Sequence, residues 1–424
     1  MSLPVIEVRA WDRTVGAVAP DPVGGAHVFE YDPAWRRGGT ELAPLMMPLA
    51  QGDGRFTFPA LGPSFHRLPG LLSDALPDDF GNALIDAWMA AHGVGRESVT
   101  ALDRLAYMGR RGLGALEFRP ARGSASESQQ PLEMKALVEE ARRVVRGDFA
   151  GEAHARSALA SIIRVGTSAG GARAKAVVAW NPATDEIRSG QFEVPAGFEH
   201  WLLKFDGVGP DLELGATGDY GRTEFAYHRM ALRAGIEMSP CRLLSEGGRA
   251  HFMTRRFDRE GNRKHHIQSL CSMRHLDYRL RGTHAYEQYF QTIRDLGLGD
   301  AALRQAFLRM AFNVMARNCD DHTKNFGFLL REGGRWELAP AYDVTHAHNP
   351  AGEWTARHLM GVNGRFDGIS RDDLLAVSDR FLVPGAKAAL DAVRGAVEEW
   401  PSFAAQAALP AARARAVAGD LRPV

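Results

Sequence analysis

The chain has 424 residues, 45% apolar and 24% charged, ordinary globular values with room for two or three domains. Its formal net charge is zero, which excludes a global field that would gather nucleic acid or an anionic membrane. Three scattered cysteines (Cys241, Cys271, Cys319) exclude a disulfide framework and fit a reducing cytoplasm.

Residues 1–13 carry Glu7, Arg9, Asp12 and Arg13, so no signal-peptide core opens the sequence. No apolar run reaches the roughly 18 residues of a membrane span. Residues 1–120 read as a small mixed domain. Residues 5–11 alternate as a strand does, and 28–31 and 55–58 are further strands. Residues 72–92 are helical in pattern, with Leu72, Leu76, Phe80, Leu84 and Trp88 recurring. Pro77 breaks that run, because it lacks the N–H and clashes with the preceding turn. Residues 109–118 (GRRGLGALEF) form a Gly-rich turn leading into a strand. Two tight turns account for it better than a phosphate cradle, since no helix start follows. Residues 121–131 (ARGSASESQQP) are small, polar and end in Pro, the composition of a linker. A helix follows, with Leu132, Leu137, Val144 and Val145 apolar among charges.

Residues 165–180 (VGTSAGGARAKAVVAW) lead through small residues to Lys175 and then a strand. Read alone, a Gly/Ala turn is favoured over a nucleotide loop, because neither established phosphate-loop pattern fits. Residues 201–205 (WLLKF) are an apolar strand with one lysine, Lys204. Such a lysine sits on a solvated face or reaches nucleotide phosphates. Residues 223–234 form a helix with Ala226, Tyr227, Met230, Ala231 and Ala234 on one face. Glu224 lies near that face, favoured by the helix dipole and available to a strand lysine. Gly235 suits the C-terminal cap. Residues 241–244 and 250–254 make a hairpin, and the charged stretch 255–259 leaves the sheet. In a kinase ordering the chain crosses between lobes here.

Beyond this point the chain is mostly helical. His265, His266, His275 and His284 invite a metal reading, but no H-x-x-x-H or paired Cys supports it. Residues 301–318 are the clearest helix, striped by Leu303, Ala306, Phe307, Met310 and Val314. It delivers residues 318–345 (NCDDHTKNFGFLLREGGRWELAPAYDVT). Asp320 and Asn325 have the D-x-x-x-x-N spacing of a kinase catalytic loop. Residues 326–330 and 335–338 are strands turned by Gly333-Gly334, and Asp343 follows them. Phosphoryl transfer needs a carboxylate for the nucleophile's proton and oxygen ligands for Mg²⁺. Asp320 is therefore the expected base, with Asn325 and Asp343 as metal ligands. The plain alternative is a polar loop whose Asp and Asn serve turn chemistry. His322, Lys324, His346, His348, Arg357, His358 and Arg365 make the neighbourhood neutral to basic, which disfavours a polycationic small substrate. Residues 371–408 are helical, and the Ala/Arg-rich tail to Val424 is expected to be partly disordered.

These residues together resemble the HipA toxins, bacterial Ser/Thr kinases of type II toxin–antitoxin modules. The resemblance is carried by residues 168–175 (SAGGARAK), Lys204, Glu224, residues 256–259 (RFDR), residues 318–325 (NCDDHTKN) and residues 339–344 (APAYDV). The first of these departs from the family pattern at Arg173 and Ala174. The resemblance implies an α+β, protein-kinase-like two-lobed fold with an additional N-terminal β-rich subdomain. Its expected divisions are 1–120, a linker at 121–131, an N-lobe at 132–257 and a helical C-lobe at 258–424. It implies ATP and Mg²⁺ as cofactors, with Gly170, Gly171, Ala172, Arg173, Lys175, Lys204, Glu224, Arg255, Phe257, His322, Asn325, Tyr342 and Asp343 around the nucleotide. It implies a regulatory phosphosite at Ser168. It also implies a HipB-like helix-turn-helix antitoxin, contact with operator DNA through that antitoxin, and a protein substrate such as glutamyl-tRNA synthetase, an aminoacyl-tRNA synthetase. A phosphotransferase acting on a small molecule and an inactive DNA-associated regulator are the other readings.

Overall fold

The computed structural model describes residues 5–22, 24–77, 79–122, 131–146, 174–208 and 218–424. Ser168, Gly170, Gly171, Ala172 and Arg173 lie outside the described residues.

The first sheet has strand order β4-β3-β2-β1-β5, all neighbours antiparallel. Its strands are β1 (Ile6–Ala10), β2 (Arg13–Pro20), β3 (His27–Tyr31), β4 (Arg55–Thr57) and β5 (Glu117–Arg119). Alternation decides its inner face: Ile6, Val8 and Ala10 are buried while Glu7 and Arg9 are not. Strand β1 stops one residue short of the expected 5–11. Trp11 and Asp12 both take positive φ (49° and 58°) and close the two-residue hairpin turn. The broken 72–92 run resolves into helices Gly70–Ser73 and Asp79–Ala91, with Pro77 between them.

The second sheet has order β7-β6-β8-β10-β9. It comprises β6 (Lys175–Trp180), β7 (Ile187–Ser189), β8 (Glu199–Lys204), β9 (Cys241–Glu246) and β10 (Arg249–Arg255). Helix Tyr220–Arg233 lies against β10, and Gly235 follows it with φ 87°, a left-handed cap. Two short ribbon strands, β11 (Arg259–Glu260) and β12 (Arg263–Lys264), carry the chain out of the sheet. A three-stranded sheet follows, β13 (His266–Ser269), β15 (Gly327–Leu330) and β16 (Trp336–Leu338), in the order β13-β15-β16. Strands β14 (His284–Ala285) and β17 (Met360–Gly361) pair in parallel. The other long elements are helical: Ala101–Met108, Met134–Arg146, Tyr286–Asp295, Gly299–Met315, Arg371–Arg380, Ala386–Glu398, Trp400–Gln406 and Ala411–Asp420.

Two apolar cores result. One is continuous from the first sheet into the second and third, joining Ile6, Val8 and Phe118 to Leu203, Met253 and Leu330. The other lies among the helices, around Tyr227, Phe290, Phe307 and Trp400. Among the described residues no helix is long and apolar enough to cross a membrane.

The expectation of a partly disordered tail is wrong. Residues Ala411–Asp420 form a helix whose Val417 is fully buried. Trp400 donates its indole N–H to the Ala414 carbonyl at 2.9 Å, and the Arg422 N–H bonds Met315 O at 2.8 Å. Alanine-rich composition hid this, because a helix whose buried side chain is Val417 has almost no hydrophobic stripe. Val417→Ala is expected to cost about 1–3 kcal/mol of stability, the burial and cavity cost of a core aliphatic side chain. Urea denaturation followed by circular dichroism measures it, and a wild-type midpoint would show a loosely held tail.

Candidate active site

Strand pairing sets the cationic part of the site. Lys175 and Lys204 stand directly opposite each other in the antiparallel β6–β8 pair. Opposite residues share one face, so the two ammonium groups point the same way. Lys204 Nζ donates to Glu224 Oε1 at 2.6 Å and to Asp343 Oδ1, and it lies 5.8 Å from the centre of the Phe252 ring. Burial alone would lower the Lys204 pKa, but the Asp343 and Glu224 carboxylates outweigh it and raise it. Burial likewise opposes ionisation of Asp343, while Lys204 and then Lys175 hold its carboxyl well below the usual range. Lys204 and Asp343 therefore keep their charged forms at neutral pH.

A glycine makes the Lys204–Glu224 contact possible. A Cβ at Gly221 would lie 2.0 Å from the Ala250 carbonyl oxygen in β10, so only glycine lets the helix approach this closely. One turn later the same helix presents Glu224, almost fully buried. The residue pattern showed the glutamate but not the glycine that seats it.

The acidic part comes from the loop after helix Gly299–Met315. Two adjacent aspartates there have opposite fates. The Asp320 carboxylate is about half exposed (48%) and 3.9 Å from His322 Nε2. Asp321 is fully buried and accepts from Leu359 N at 2.8 Å, Tyr286 OH at 2.8 Å and His358 Nδ1 at 2.9 Å. The D-x-x-x-x-N spacing selects the outward one. Asn325 donates Nδ2 to the Asp320 carbonyl at 2.8 Å, which leaves its Oδ1 as the remaining acceptor. Asn318 Nδ2 reaches the Asp343 main-chain carbonyl at 3.5 Å and ties the loop to the backbone of Asp343. Asp343 has φ 53°, an uncommon backbone for a residue other than glycine.

Hairpin β15–β16 spans Asn325 and Asp343, with Phe328 opposite Leu338 and a turn at Gly333 (φ 71°). Gly327 leaves room for the Tyr342 ring, since a Cβ there would sit 3.0 Å from Tyr342 Cε1. Burial, with Asp74 and Asp343 nearby, drives the Tyr342 phenol well above its ordinary pKa, and its hydroxyl donates to Lys324 O at 2.7 Å. Phe257 packs on Tyr342 with ring centres 5.8 Å apart.

The structure thus brings Lys175, Lys204, Glu224 and Asp343 into one cluster, and Asp320, His322 and Asn325 into one loop tied to it by Asn318. Arg255 joins neither. Its side chain is largely exposed and faces Glu199 Oε1 at 3.5 Å. The basic neighbourhood expected around the loop is also corrected. His346 and His358 are buried and bonded to Asp420 (2.9 Å) and Asp321, so they present no surface charge. Burial, then Arg413, pushes His346 down to about 4, so it is neutral at pH 7. The histidines read earlier for metal serve the fold: Nε2 of His275, His266 and His284 meets Gly70 N, Leu42 O and Asp277 O respectively.

The donor set suits Mg²⁺. Asp343 and Asn325 offer hard oxygen atoms, and Mg²⁺ is commonly held by one or two carboxylates, with substrate phosphates and waters completing its shell. Among the described residues no cluster of three or more His, Cys, Asp or Glu forms an all-protein cage.

Comparison with known proteins agrees with this architecture. Residues 6–119 match the HipA N-terminal domain, and residues 167–422 match the HipA-like C-terminal domain. No curated protein matches the chain at the sequence level. The fold is similar to that of HipA of Shewanella oneidensis MR-1, solved with HipB and its operator DNA. That match has a TM-score of 0.68 at 18% identity and covers 98% of this chain and 94% of that one. The Helicobacter pylori proinflammatory kinase CtkA aligns with a TM-score of 0.37 at 10% identity, over 59% of this chain and 90% of that one. With both family domains matched in order along the sequence, the chain belongs to the HipA family.

Proposed function

We propose that this protein is an ATP- and Mg²⁺-dependent kinase that transfers the γ-phosphoryl group to a Ser or Thr hydroxyl of a protein. The observation that carries the reading is the buried Lys204–Glu224–Asp343 cluster, tied through Asn318 to a loop that presents Asp320 outward. Lys204 would bind the α- and β-phosphates, with Glu224 fixing its ammonium and Lys175 adding charge beside it. Asp320 would orient the attacking hydroxyl and accept its proton. Asn325 and Asp343 would hold Mg²⁺, which when bound neutralises charge on the phosphoryl oxygens. The HipB complex of the Shewanella relative supports a HipB-like antitoxin as partner, with operator DNA reached through it. With His346 and His358 buried, the choice of a protein substrate rests on family membership rather than on local surface charge. Ser168 remains the proposed site of regulatory phosphorylation.

Lys204→Ala tests the nucleotide half of the reading. Losing a charge-assisted phosphate contact is expected to weaken Mg-ATP binding at least about tenfold in titration calorimetry, as loss of 1.5–3 kcal/mol implies. A melting curve run alongside separates this from unfolding, since Glu224 and Asp343 lose their shared partner. Wild-type affinity in the folded variant would make Lys204 a strand lysine only.

A further inference from the structure

The Gly-rich turn of the N-terminal domain, read from sequence as two tight turns, reaches the crossing between lobes. Gly114 N donates to Asp258 Oδ2 at 2.8 Å, across 144 residues of sequence. Arg259 returns the contact, with Nη1 on Gly114 O and Nη2 on Gly112 O, both at 3.1 Å. Arg256 binds Asp258 through Nε (2.9 Å) and Nη2 (2.7 Å), and Arg259 Nη1 adds a further bond at 2.7 Å. All three charged side chains are at most 4% exposed. One carboxylate therefore accepts from two guanidinium groups and a backbone amide of another domain, with its rotamer fully determined. Gly114 (φ 74°) allows this, since a Cβ there would lie 3.0 Å from Ile267 Cγ2 in β13. The same domain grips the far end of β13, where Asp74 accepts from Ser269 N (2.6 Å) and Ser269 Oγ (2.9 Å).

Asp258 is bonded to Phe257, whose ring packs on Tyr342, and Tyr342 directly precedes Asp343. We propose that Asp258 is a positioning residue through which the N-terminal sheet fixes Phe257 against Tyr342 and so sets the nucleotide cleft. Neither glycine loop nor aspartate touches the reacting atoms; they act by holding the crossing in one conformation. This rests on the kinase reading above. It makes the N-terminal domain a working part of the cleft.

The test is calorimetric titration of Mg-ADP into the full chain, with KM and kcat for ATP measured in parallel. Asp258→Asn should weaken Mg-ADP binding about tenfold and raise KM for ATP more than it lowers kcat, as expected when a buried charge network is broken beside a binding site. Arg259→Lys keeps a charge for Asp258 but loses the two-pronged grip on Gly112 and Gly114, and should shift both values the same way. Tyr31→Phe is the control, because it removes a buried hydrogen bond to Met47 O within the same domain and leaves the crossing alone. It should lower the melting temperature without changing Mg-ADP affinity. Wild-type affinity in Asp258→Asn, or in Arg259→Lys should the first variant not fold, overturns the proposal. So does an affinity loss in Tyr31→Phe as large as theirs. Failure of the wild type to bind Mg-ADP at all overturns the kinase reading and this inference with it.

Discussion

Asp320→Asn is expected to lower phosphoryl transfer at least about 100-fold while leaving the fold intact, the lower range for removing one general acid–base group. The substitution keeps the shape of the side chain and removes only its ability to take a proton. Its carboxylate is about half exposed, whereas the neighbouring Asp321 carries buried hydrogen bonds. A surface change of this kind alters stability by no more than about 0.5 kcal/mol. Turnover with Mg-ATP and a protein acceptor, beside a denaturation curve, separates chemistry from folding. In a bacterial host, expression of the wild type should arrest growth and expression of Asp320→Asn should not. Wild-type turnover in the folded variant would remove Asp320 from the mechanism. Equal growth with both, together with phosphorylation of a small molecule and of no protein, would favour the small-molecule reading instead.

Asp321→Ala should show the opposite pattern, a loss of stability of about 3–5 kcal/mol, the cost of breaking a buried ion pair. Four donors lose their acceptor at once: His358 Nδ1, Tyr286 OH, Leu359 N and Met360 N. Burial by itself would push His358 down, but the Asp321 carboxylate overrides it, with Cys319 Sγ 3.9 Å from Nε2, and holds the imidazole up at about 10 from 6.5. A raised folded pKa fixes the sign of the pH dependence. The pair's contribution is fully present below pH 6.5 and is lost as pH rises through about 10. Asp321→Asn should abolish that component, so its stability profile between these values should be flatter than the wild type's. Urea denaturation at a series of pH values measures both effects. A wild-type profile in Asp321→Asn would show that the pair is not ionised in the folded state.

What was legible in the sequence was local. Asp320, Asn325 and Asp343 lie on one loop and one hairpin, and Gly333-Gly334 marks the turn that brings them together. Lys204 and Glu224 were legible as residue types but not as a contact, because Gly221 against Ala250 is what sets the distance between strand and helix. The residues missed are those whose partners are remote. Asp258 and Gly114, Asp74 and Ser269, and Asp321 and His358 meet only after the sheets have packed. No periodicity records such pairs, since the two partners of each lie far apart in the sequence. The adjacent Asp320 and Asp321 make the same point at shortest range. Spacing to Asn325 distinguishes them, but nothing in the sequence says that the second would be walled off from solvent.

The apolar core that runs from Ile6 through Phe118 to Leu203 and Leu330 has a practical consequence. Two family models divide this polypeptide at a seam that its interior does not respect. Trimming away the first 119 residues would strip one wall from the strands that carry Lys175 and Lys204, leaving oily surface in water. A fragment shortened in this way should therefore aggregate on expression, and crystallographic or ligand work on the cleft requires the uncut polypeptide.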